Sequence, residues 1–360
     1  MNTAAAASIE LARERPAAGL LGLAERGCLP DALLRQGIRR MCAQRLREEL
    51  AGGLDRQAAR FAERIAMLRH SPVAIHTDAA NAQHYELPPA FFELCLGKRL
   101  KYSGCYYPRG DESLDQAEEA MLELYGERAE LADGQNILEL GCGWGSLSLW
   151  MGERYPNAKI VAVSNSNQQR EHIEVKCRER GLFNVRVITQ DVNRLELQAA
   201  QFDRCVSVEM FEHMRNYEIL LSRIAGWLRP GGKLFVHIFA HRTLMYPFET
   251  TGGDNWMGRH FFTGGLMPAS DTLLWFQREL QIDQRWHVDG THYQRSANHW
   301  LANHDARKDR VMATLTEAYG SKAAPLWFQR WRMFWMSCAE LFGYAGGQEW
   351  LVAHYRFVRP

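Results

Sequence analysis

The chain has 360 residues, of which 46% are apolar and 24% are charged, as in an ordinary globular protein of about two domains. Lys and Arg (43) nearly balance Asp and Glu (42), so no global field favours nucleic acid or an anionic membrane. No apolar run reaches the length of about 18 residues that a membrane-spanning helix needs.

The eight cysteines occur without a CxxC or a Cys/His ligand spacing. Several of them, such as Cys142, Cys177 and Cys205, fall inside periodic elements. We therefore expect reduced, mostly buried thiols, a cytoplasmic location and no metal site. The alanine run at residues 4–7 has neither a basic flank nor a long apolar stretch, so it is not typical of a secretory signal.

Periodicity and turn residues divide the chain into five predicted segments. They are a helical N-terminal extension (1–75), a helical segment that flanks a cofactor site (76–130), a cofactor-binding α/β core (131–240), a substrate-side insertion with part of the sheet (241–348) and a final strand (349–360).

Strands and helices alternate between residues 131 and 240. The predicted elements are a helix at Asp115–Ala129, strands at Asn136–Leu140, Lys159–Val163, Val185–Ile188, Phe202–Val208, Lys233–Phe239 and Leu351–Val358, and helices at Ser146–Arg154, Asn167–Arg180 and Tyr217–Trp227. Strands separated by helices of 10 to 15 residues are typical of βαβ units and a parallel sheet.

A glycine turn follows the first of these strands. Gly141, Gly143 and Gly145 are spaced Gly-x-Gly-x-Gly before a helix, where free backbone N–H groups bind a ligand and small residues let it approach closely. A dinucleotide site is the obvious rival, but its fingerprint has the spacing G-x-G-x-x-G. The turn alone therefore predicts only a cofactor site.

Polar residues follow the next two strands. Ser164, Asn165 and Gln169 come after the second strand, and Asp191 comes after the third. They offer partners for ribose hydroxyls and an adenine amino group at the same sheet edge. For Asp191, capping of a helix is an equally good interpretation.

An acidic cluster follows the fourth strand. If a helix begins near Glu209, this residue faces both Glu212 (i, i+3) and His213 (i, i+4). Neighbouring carboxylates shift each other's pKa, which suits a base or a cation site. The alternatives are a favourable acidic first turn of a helix and, for His213, a core histidine.

Several strings resemble the coclaurine N-methyltransferase-like branch of the cyclopropane-fatty-acid-synthase superfamily. The similarity runs from about residue 84 to the C-terminus. The strings are His84–Leu87, Phe91–Gly97, Leu138–Gly145, Glu209–Met214, Phe261–Gly265, Ala339–Tyr344 and Glu349–His354.

The resemblance implies a Rossmann-like α/β fold with a seven-stranded, mostly parallel sheet, a helical N-terminal extension and a substrate-covering insertion. It also implies that S-adenosylmethionine donates a methyl group to the nitrogen of a small, ring-bearing amine such as a benzylisoquinoline or phenethylamine. The acidic cluster then lies beside the amine, as binding site and base.

The site positions follow from the resemblance and from residue type. The cofactor positions are Tyr102, Ser103, Glu139, Gly141, Gly143, Gly145, Ser164, Asn165, Gln169, Asp191 and Val192. The substrate positions are His237, Phe239, Phe261, Trp327, Phe334 and Trp335, of which the aromatic residues suit an apolar and cation–π wall.

The chain departs from the lipid-cyclopropanating relatives, which have a bicarbonate pocket built from Cys, Glu, His and Tyr. Gly104 stands at the cysteine position and Phe334 at the expected tyrosine position, whereas Glu212 and His237 match. The departures favour an amine over a lipid alkene as acceptor, although Cys105, one residue away, keeps the lipid reaction open. Transfer to oxygen or carbon, a cofactor-binding protein without chemistry and a homodimer also remain open.

Overall fold

The computed structural model describes residues 16–75, 87–250 and 255–360. The alanine run and residues 84–86 of the first family string lie outside these ranges. Among the helices within them, none combines the length and apolar character that crossing a membrane requires.

Helices and strands alternate through the middle of the chain. In chain order the helices are α1 (Gly19–Glu25), α2 (Asp31–Leu50), α3 (Gly53–His70), α4 (Pro89–Cys95), α5 (Leu114–Arg128), α6 (Ser146–Arg154), α7 (Asn167–Arg180), α8 (Tyr217–Trp227), α9 (Trp256–His260), α10 (Gly290–Ala306), α11 (Lys308–Tyr319) and α12 (Ala324–Phe342). The strands are β1 (Asn136–Leu140), β2 (Lys159–Ser164), β3 (Val185–Thr189), β4 (Phe202–Val208), β5 (Leu228–His241), β6 (Tyr246–Pro247), β7 (Leu266–Met267), β8 (Gln281–Val288) and β9 (Trp350–Val358).

Seven of these strands form one sheet in the order β3-β2-β1-β4-β5-β9-β8. The pairs from β3 to β5 are parallel, and β9 runs antiparallel between β5 and β8. This arrangement confirms the predicted α/β class with a seven-stranded, mostly parallel sheet. Helices cover the parallel strands, so β1 is buried along four of its five residues.

The N-terminal helices pack on α12. Arg35 and Arg39 of α2 bind Glu340 at 2.7 and 2.5 Å. Glu25 of α1 is completely buried and accepts a hydrogen bond from Arg330 Nε at 2.9 Å. The extension therefore braces the helix that also forms one wall of a cavity described below.

Two local predictions are wrong, and one strand has no counterpart among the predicted elements. Glu209 does not begin a helix, because its φ is +48° and only a 3-10 turn, Phe211–His213, follows. The fifth strand begins at Leu228 rather than at residue 233, so the strand runs through the Pro-Gly-Gly sequence that ends α8. The edge strand β8 was not predicted, because its mostly exposed, polar residues lack the apolar run of an inner strand.

Candidate active site

One cavity opens at the carboxyl-terminal ends of β1, β2, β3 and β4, where parallel sheets bind ligands. We name it the strand-end cavity. The predicted cofactor positions that line it are Tyr102, Ser103, Glu139, Gly141, Gly143, Ser164, Asn165, Gln169, Asp191 and Val192. The structure thus brings together every predicted cofactor position except one.

The glycine turn explains that exception. Gly141 and Gly143 have φ of +80° and +52°, a region that favours glycine. A Cβ on Gly141 would lie 2.7 Å from the Met210 side chain. Gly145 precedes α6, and a Cβ there would lie 2.7 Å from Ile173 of α7. Gly145 therefore lets two helices pack closely and is not among the residues that line the cavity.

Buried polar groups in the strand-end cavity fit a nucleoside and amino-acid ligand. Three donors that line it, Trp144 Nε1, Ser146 Oγ and Gln169 Nε2, have no hydrogen-bond partner within the described ranges. Buried polar groups are normally paired, so these donors indicate a ligand with acceptor atoms. S-adenosylmethionine offers carboxylate, hydroxyl and ring-nitrogen acceptors.

Two acidic residues also line the strand-end cavity. Asp191 Oδ1 accepts the backbone N–H of Asn193 at 2.8 Å within a turn, so the alternative that it caps a helix is wrong. Glu139 is buried at the end of β1 and accepts a hydrogen bond from Ser148 Oγ. Burial raises the pKa of Glu139 to about 8.

A second cavity adjoins the first, and we name it the aromatic cavity. Tyr102, Glu209 and His213 line both cavities, so a ligand in one can meet a ligand in the other at these side chains. The remaining described residues that line it are Phe239, Phe248, Met257, Phe262, Met267, Tyr293, Trp300, Phe334, Cys338, Leu341 and Phe342. Its wall is almost wholly apolar, and its ionisable carboxyl group is that of Glu209.

The Glu209 carboxylate lies among three polar groups at this junction. Its Oε1 accepts the Gly104 N–H at 2.9 Å and lies 3.0 Å from His237 Nε2. Its Oε2 accepts the Tyr293 hydroxyl at 2.9 Å. Positive φ is uncommon for a residue with a side chain, and such backbone strain is often found at functional sites.

Burial raises the pKa of Glu209 to about 7. The charge of Lys101, the Gly104 N–H and the Tyr293 hydroxyl act in the opposite direction, because each stabilises the ionised form. Lys101 is itself buried and donates from Nζ to Ser103 Oγ and to the Gly104 carbonyl, both at 2.6 Å. A carboxylate with this pKa can accept a proton near neutral pH.

Glu212 lies beneath the junction and lines neither cavity. Its Oε1 accepts the Phe239 N–H at 2.7 Å, and its Oε2 is buried with no partner within the described ranges. Burial and the neighbouring Glu209 raise the pKa of Glu212 well above its ordinary value. The two carboxyl groups therefore do not share the helical face that the sequence predicted.

His213 ends the 3-10 turn and faces the junction. Its ring lies 4.6 Å from the ring of Phe262, between centroids, and both residues line the aromatic cavity. The imidazole thus stands beside Glu209, with an aromatic surface behind it.

The predicted substrate positions divide into two layers. Phe239 and Phe334 line the aromatic cavity. Phe261 lies behind Phe334 in a stacked pair with centroids 4.5 Å apart, and Trp335 packs 5.3 Å from Trp300. Trp327 stacks on Tyr319, farther from the cavity.

His237 is also removed from both cavities. It is completely buried on β5, behind the Glu209 carboxylate, and is not among the residues that line either cavity. Its direct contact is therefore with Glu209 rather than with a ligand.

A tyrosine that the sequence analysis did not assign to the site contacts Glu209. The hydroxyl of Tyr293 on α10 donates a hydrogen bond to Glu209. A Cβ on Gly104 would lie 2.8 Å from the Tyr293 ring, so the ring can occupy this position only because residue 104 has no side chain. Phe334, the expected tyrosine position, is part of the cavity wall. Cys105 lines neither cavity, and its buried Sγ lies 3.6 Å from the Ser103 carbonyl oxygen.

Sequence reasoning missed Tyr293, Trp300 and Lys101. The first two lie on α10, more than eighty positions beyond Glu209, and tertiary packing alone brings them to the site. Lys101 stands directly before the Tyr102-Ser103 pair, so its place in that string was the one available signal. Among the described residues no group of three or more His, Cys, Asp or Glu is arranged to hold a metal ion.

Residues 74–346 match the family model of mycolic acid cyclopropane synthetase. The fold, the strand-end cavity and this match define a class I S-adenosylmethionine-dependent methyltransferase, and the chain belongs to the mycolic acid cyclopropane synthetase family.

Relatives within the family specify the reaction type. The chain is 36% identical over 345 residues to (S)-coclaurine N-methyltransferase of Thalictrum flavum subsp. glaucum, covering 94% of this chain and 95% of the relative. A crystal structure of coclaurine N-methyltransferase bound to N-methylheliamine and S-adenosylhomocysteine superimposes with a TM-score of 0.90 at 36% identity, covering 94% and 98% of the two chains. The chain is therefore an S-adenosylmethionine-dependent N-methyltransferase.

The cyclopropane-forming enzymes are more distant. The cyclopropane-fatty-acyl-phospholipid synthase of Escherichia coli K12 is 29% identical over 220 residues, covering 61% of this chain and 54% of that protein. A cyclopropane synthase from Mycobacterium tuberculosis has a TM-score of 0.67 at 21% identity, with coverage of 80% and 100%, and shares the fold.

Proposed function

We propose that the enzyme methylates the nitrogen of a small, ring-bearing amine of the benzylisoquinoline or phenethylamine type. The observation that carries this proposal is the position of Glu209, a carboxylate only 10% exposed at the junction of the strand-end cavity and the aromatic cavity. An ammonium needs a carboxylate and its rings need an apolar wall, and the junction offers both.

The amine must lose a proton before it can attack. An alkylamine with a pKa near 10 is about 0.1% neutral at pH 7, which costs roughly 4 kcal/mol. In this proposal Glu209 and His213 bind the ammonium, and Glu209 accepts its proton, since its pKa of about 7 suits that transfer near neutral pH.

Bound S-adenosylmethionine supplies an electrophilic methyl group on a cationic sulfur. The chain's own task is then alignment, because in-line geometry alone can contribute about 7–11 kcal/mol in favourable cases. Tyr102 and His213 border both cavities and hold the amine nitrogen at the opening between them. The predicted cofactor positions that line the strand-end cavity hold the donor.

We assign Glu212 a supporting role. Its carboxyl group binds the Phe239 N–H from below and lies beside Glu209, so it acts on the ligand through these neighbours. The apolar contacts come from residues such as Phe239, Phe334 and Trp300, whereas Phe261, Trp327 and Trp335 support them from the second layer.

A pair of matched ligands tests the proposal. We expect a benzylisoquinoline with a secondary amine to yield its N-methyl product and one equivalent of S-adenosylhomocysteine, measured by mass spectrometry. The analogue with carbon in place of nitrogen should bind at least 10-fold more weakly, because the largely enclosed Glu209 carboxylate loses its charged partner. Equal affinity for the two analogues would contradict a role for Glu209 in amine binding.

We also propose a cytoplasmic location, since all eight cysteines are free thiols. Exposed apolar side chains on the N-terminal helices, such as Leu33, Met41 and Leu54, support a homodimer. Light scattering should then report twice the chain mass of 41.3 kDa. A single-chain mass would contradict the dimer.

A further inference from the structure

A line of hydrogen bonds leads from Glu209 away from both cavities. Glu209 Oε1 lies 3.0 Å from His237 Nε2. His237 Nδ1 lies 2.9 Å from His354 Nε2, and His354 Nδ1 lies 2.7 Å from Arg128 Nη1. The line therefore joins the carboxylate at the junction to a half-buried arginine through two completely buried imidazoles.

The fold builds this line from three neighbouring elements. His237 and His354 stand directly opposite each other in the antiparallel pair of β5 and β9. Arg128 ends α5 and packs over the ring of Trp286 at 5.0 Å. None of these contacts involves a residue that lines a cavity except Glu209.

The donor inventory fixes every proton along the line. An arginine can only donate, so His354 Nδ1 must accept, and a neutral His354 then carries its proton on Nε2. That N–H points at His237 Nδ1, which must accept, so His237 in turn carries its proton on Nε2. Burial lowers the pKa of both histidines, which keeps both imidazoles neutral.

We propose that Arg128 and His354 are positioning residues that hold His237 in the tautomer that donates its Nε2–H to Glu209. This inference rests on the proposed role of Glu209 as the acceptor of the amine proton. With the line intact, an ionised Glu209 accepts the His237 N–H at Oε1 and the Tyr293 O–H at Oε2, whereas a protonated Glu209 would set its own O–H against one of these two donors. The arrangement thus favours the ionised, proton-accepting form.

The same geometry excludes proton export along the line. A proton leaving Glu209 through the two imidazoles would have to be accepted by Arg128, and a guanidinium has no acceptor atom. Tyr125 also contacts His237, with its hydroxyl 2.9 Å from Nδ1. The single lone pair of Nδ1 is then shared between the His354 N–H and the Tyr125 hydroxyl, and either donor keeps the proton of His237 on Nε2.

Other charged and titratable groups act on Glu209, and the experiment must hold them constant. They are Lys101 and Cys105 on the segment before α5, Tyr125 on α5, Glu212 and His213 in the 3-10 turn, His237 on β5, Tyr293 on α10 and Cys338 on α12. None of them is changed in the variants below.

Nitrogen-15 spectra of labelled histidines test the tautomers directly in the full chain. In the unaltered enzyme both histidines should keep the Nε2–H form on either side of the Glu209 pKa of about 7. In Arg128→Met the line can reverse once Glu209 is protonated, so His237 should switch to the Nδ1–H form at low pH. The peaks of His354 are identified by their absence from His354→Phe.

The pH dependence of kcat/KM gives the functional readout. Arg128→Met should move the acid limb to higher pH by about one unit, because the protonated Glu209 is no longer disfavoured. Adding His354→Phe to Arg128→Met should not move the acid limb further, since both changes interrupt the same line of hydrogen bonds to His237. Arg356→Met is the charge-matched control, because Arg356 packs over the same Trp286 at 5.6 Å, while its guanidinium donates to Asp283 and to the Arg128 carbonyl oxygen rather than to His354.

Two outcomes would overturn the proposal. The first is an Nδ1–H tautomer of His237 in the unaltered enzyme. The second is an acid limb of kcat/KM that moves as far in Arg356→Met as in Arg128→Met, because the shift would then come from the loss of a positive charge alone. If the enzyme methylates no amine, the proposed function fails, but the nitrogen-15 spectra still decide the tautomer.

Discussion

Glu209→Gln should abolish most of the turnover while leaving the fold and cofactor site intact. In the unaltered chain the Gly104 N–H and His237 Nε2 lie 2.9 and 3.0 Å from Glu209 Oε1. The glutamine carbonyl oxygen can accept hydrogen bonds from the same two groups. Its amide can donate to the Tyr293 oxygen, whose own hydroxyl proton rotates away. The variant therefore loses a charge and a proton acceptor but little packing.

The expected loss follows from the chemistry of the base. A positioned general base contributes about 10²–10⁴ in rate, so we expect kcat/KM to fall by a factor in that range. The acid limb near the Glu209 pKa of about 7 should also disappear, since a base is active only when ionised and protonates as the pH falls. With a weakly basic aryl amine, which needs no base, the deficit should shrink by at least about 10-fold.

Release of S-adenosylhomocysteine measures turnover, and calorimetry should show cofactor affinity within about threefold of the unaltered enzyme. Glu349→Gln is the control, because this carboxylate pairs with His241 outside both cavities. A Glu209→Gln enzyme with turnover within about threefold of normal and an unchanged acid limb would refute the assignment of the base.

Three further changes separate the roles of neighbouring residues. Glu212→Gln should raise the Tm more at pH 8 than at pH 5. The pKa of Glu212 is raised in the folded protein, so this carboxyl group lowers the stability of the fold as the pH rises, and glutamine removes that cost. Equal increases in Tm at the two pH values would contradict this. Phe334→Leu should raise KM for the amine by roughly 10-fold, because Phe334 lines the aromatic cavity. Trp327→Phe should change only the Tm, because Trp327 lies outside that lining. The same KM in both variants would place Phe334 outside the substrate site. Tyr293→Phe should shift the acid limb upward because its hydroxyl lowers the pKa of Glu209, and a downward or absent shift would exclude that bond from the site.

The sequence was most informative where short-range rules decide the structure. Strand β1 is apolar and ends in glycines that need positive φ, so its place and the turn could be predicted. The polar positions after β2 and β3 follow, because the ends of parallel strands meet at one edge of the sheet, whereas Tyr102, Ser103 and Val192 are implied only by the family resemblance.

The junction itself could not be predicted in this way. The left-handed Glu209 and its 3-10 turn have the residue pattern of a helix start, so the helical rule placed the two carboxylates on one face. Tyr293 comes from a helix far along the chain and depends on the missing side chain of Gly104. The sequence pattern also does not distinguish Phe261 from Phe262, because only the tertiary fold decides that Phe262 lines the aromatic cavity while Phe261 packs behind Phe334.

The central claim is that the methyl group goes to an amine nitrogen. It is tested most directly by incubating the enzyme with methyl-labelled S-adenosylmethionine, a panel of benzylisoquinolines and phenethylamines, and vesicles of unsaturated phospholipid. We predict label on the nitrogen of a ring-bearing amine, one label per S-adenosylhomocysteine formed, and none in the lipid. Label in the acyl chains with none in any amine would contradict the account.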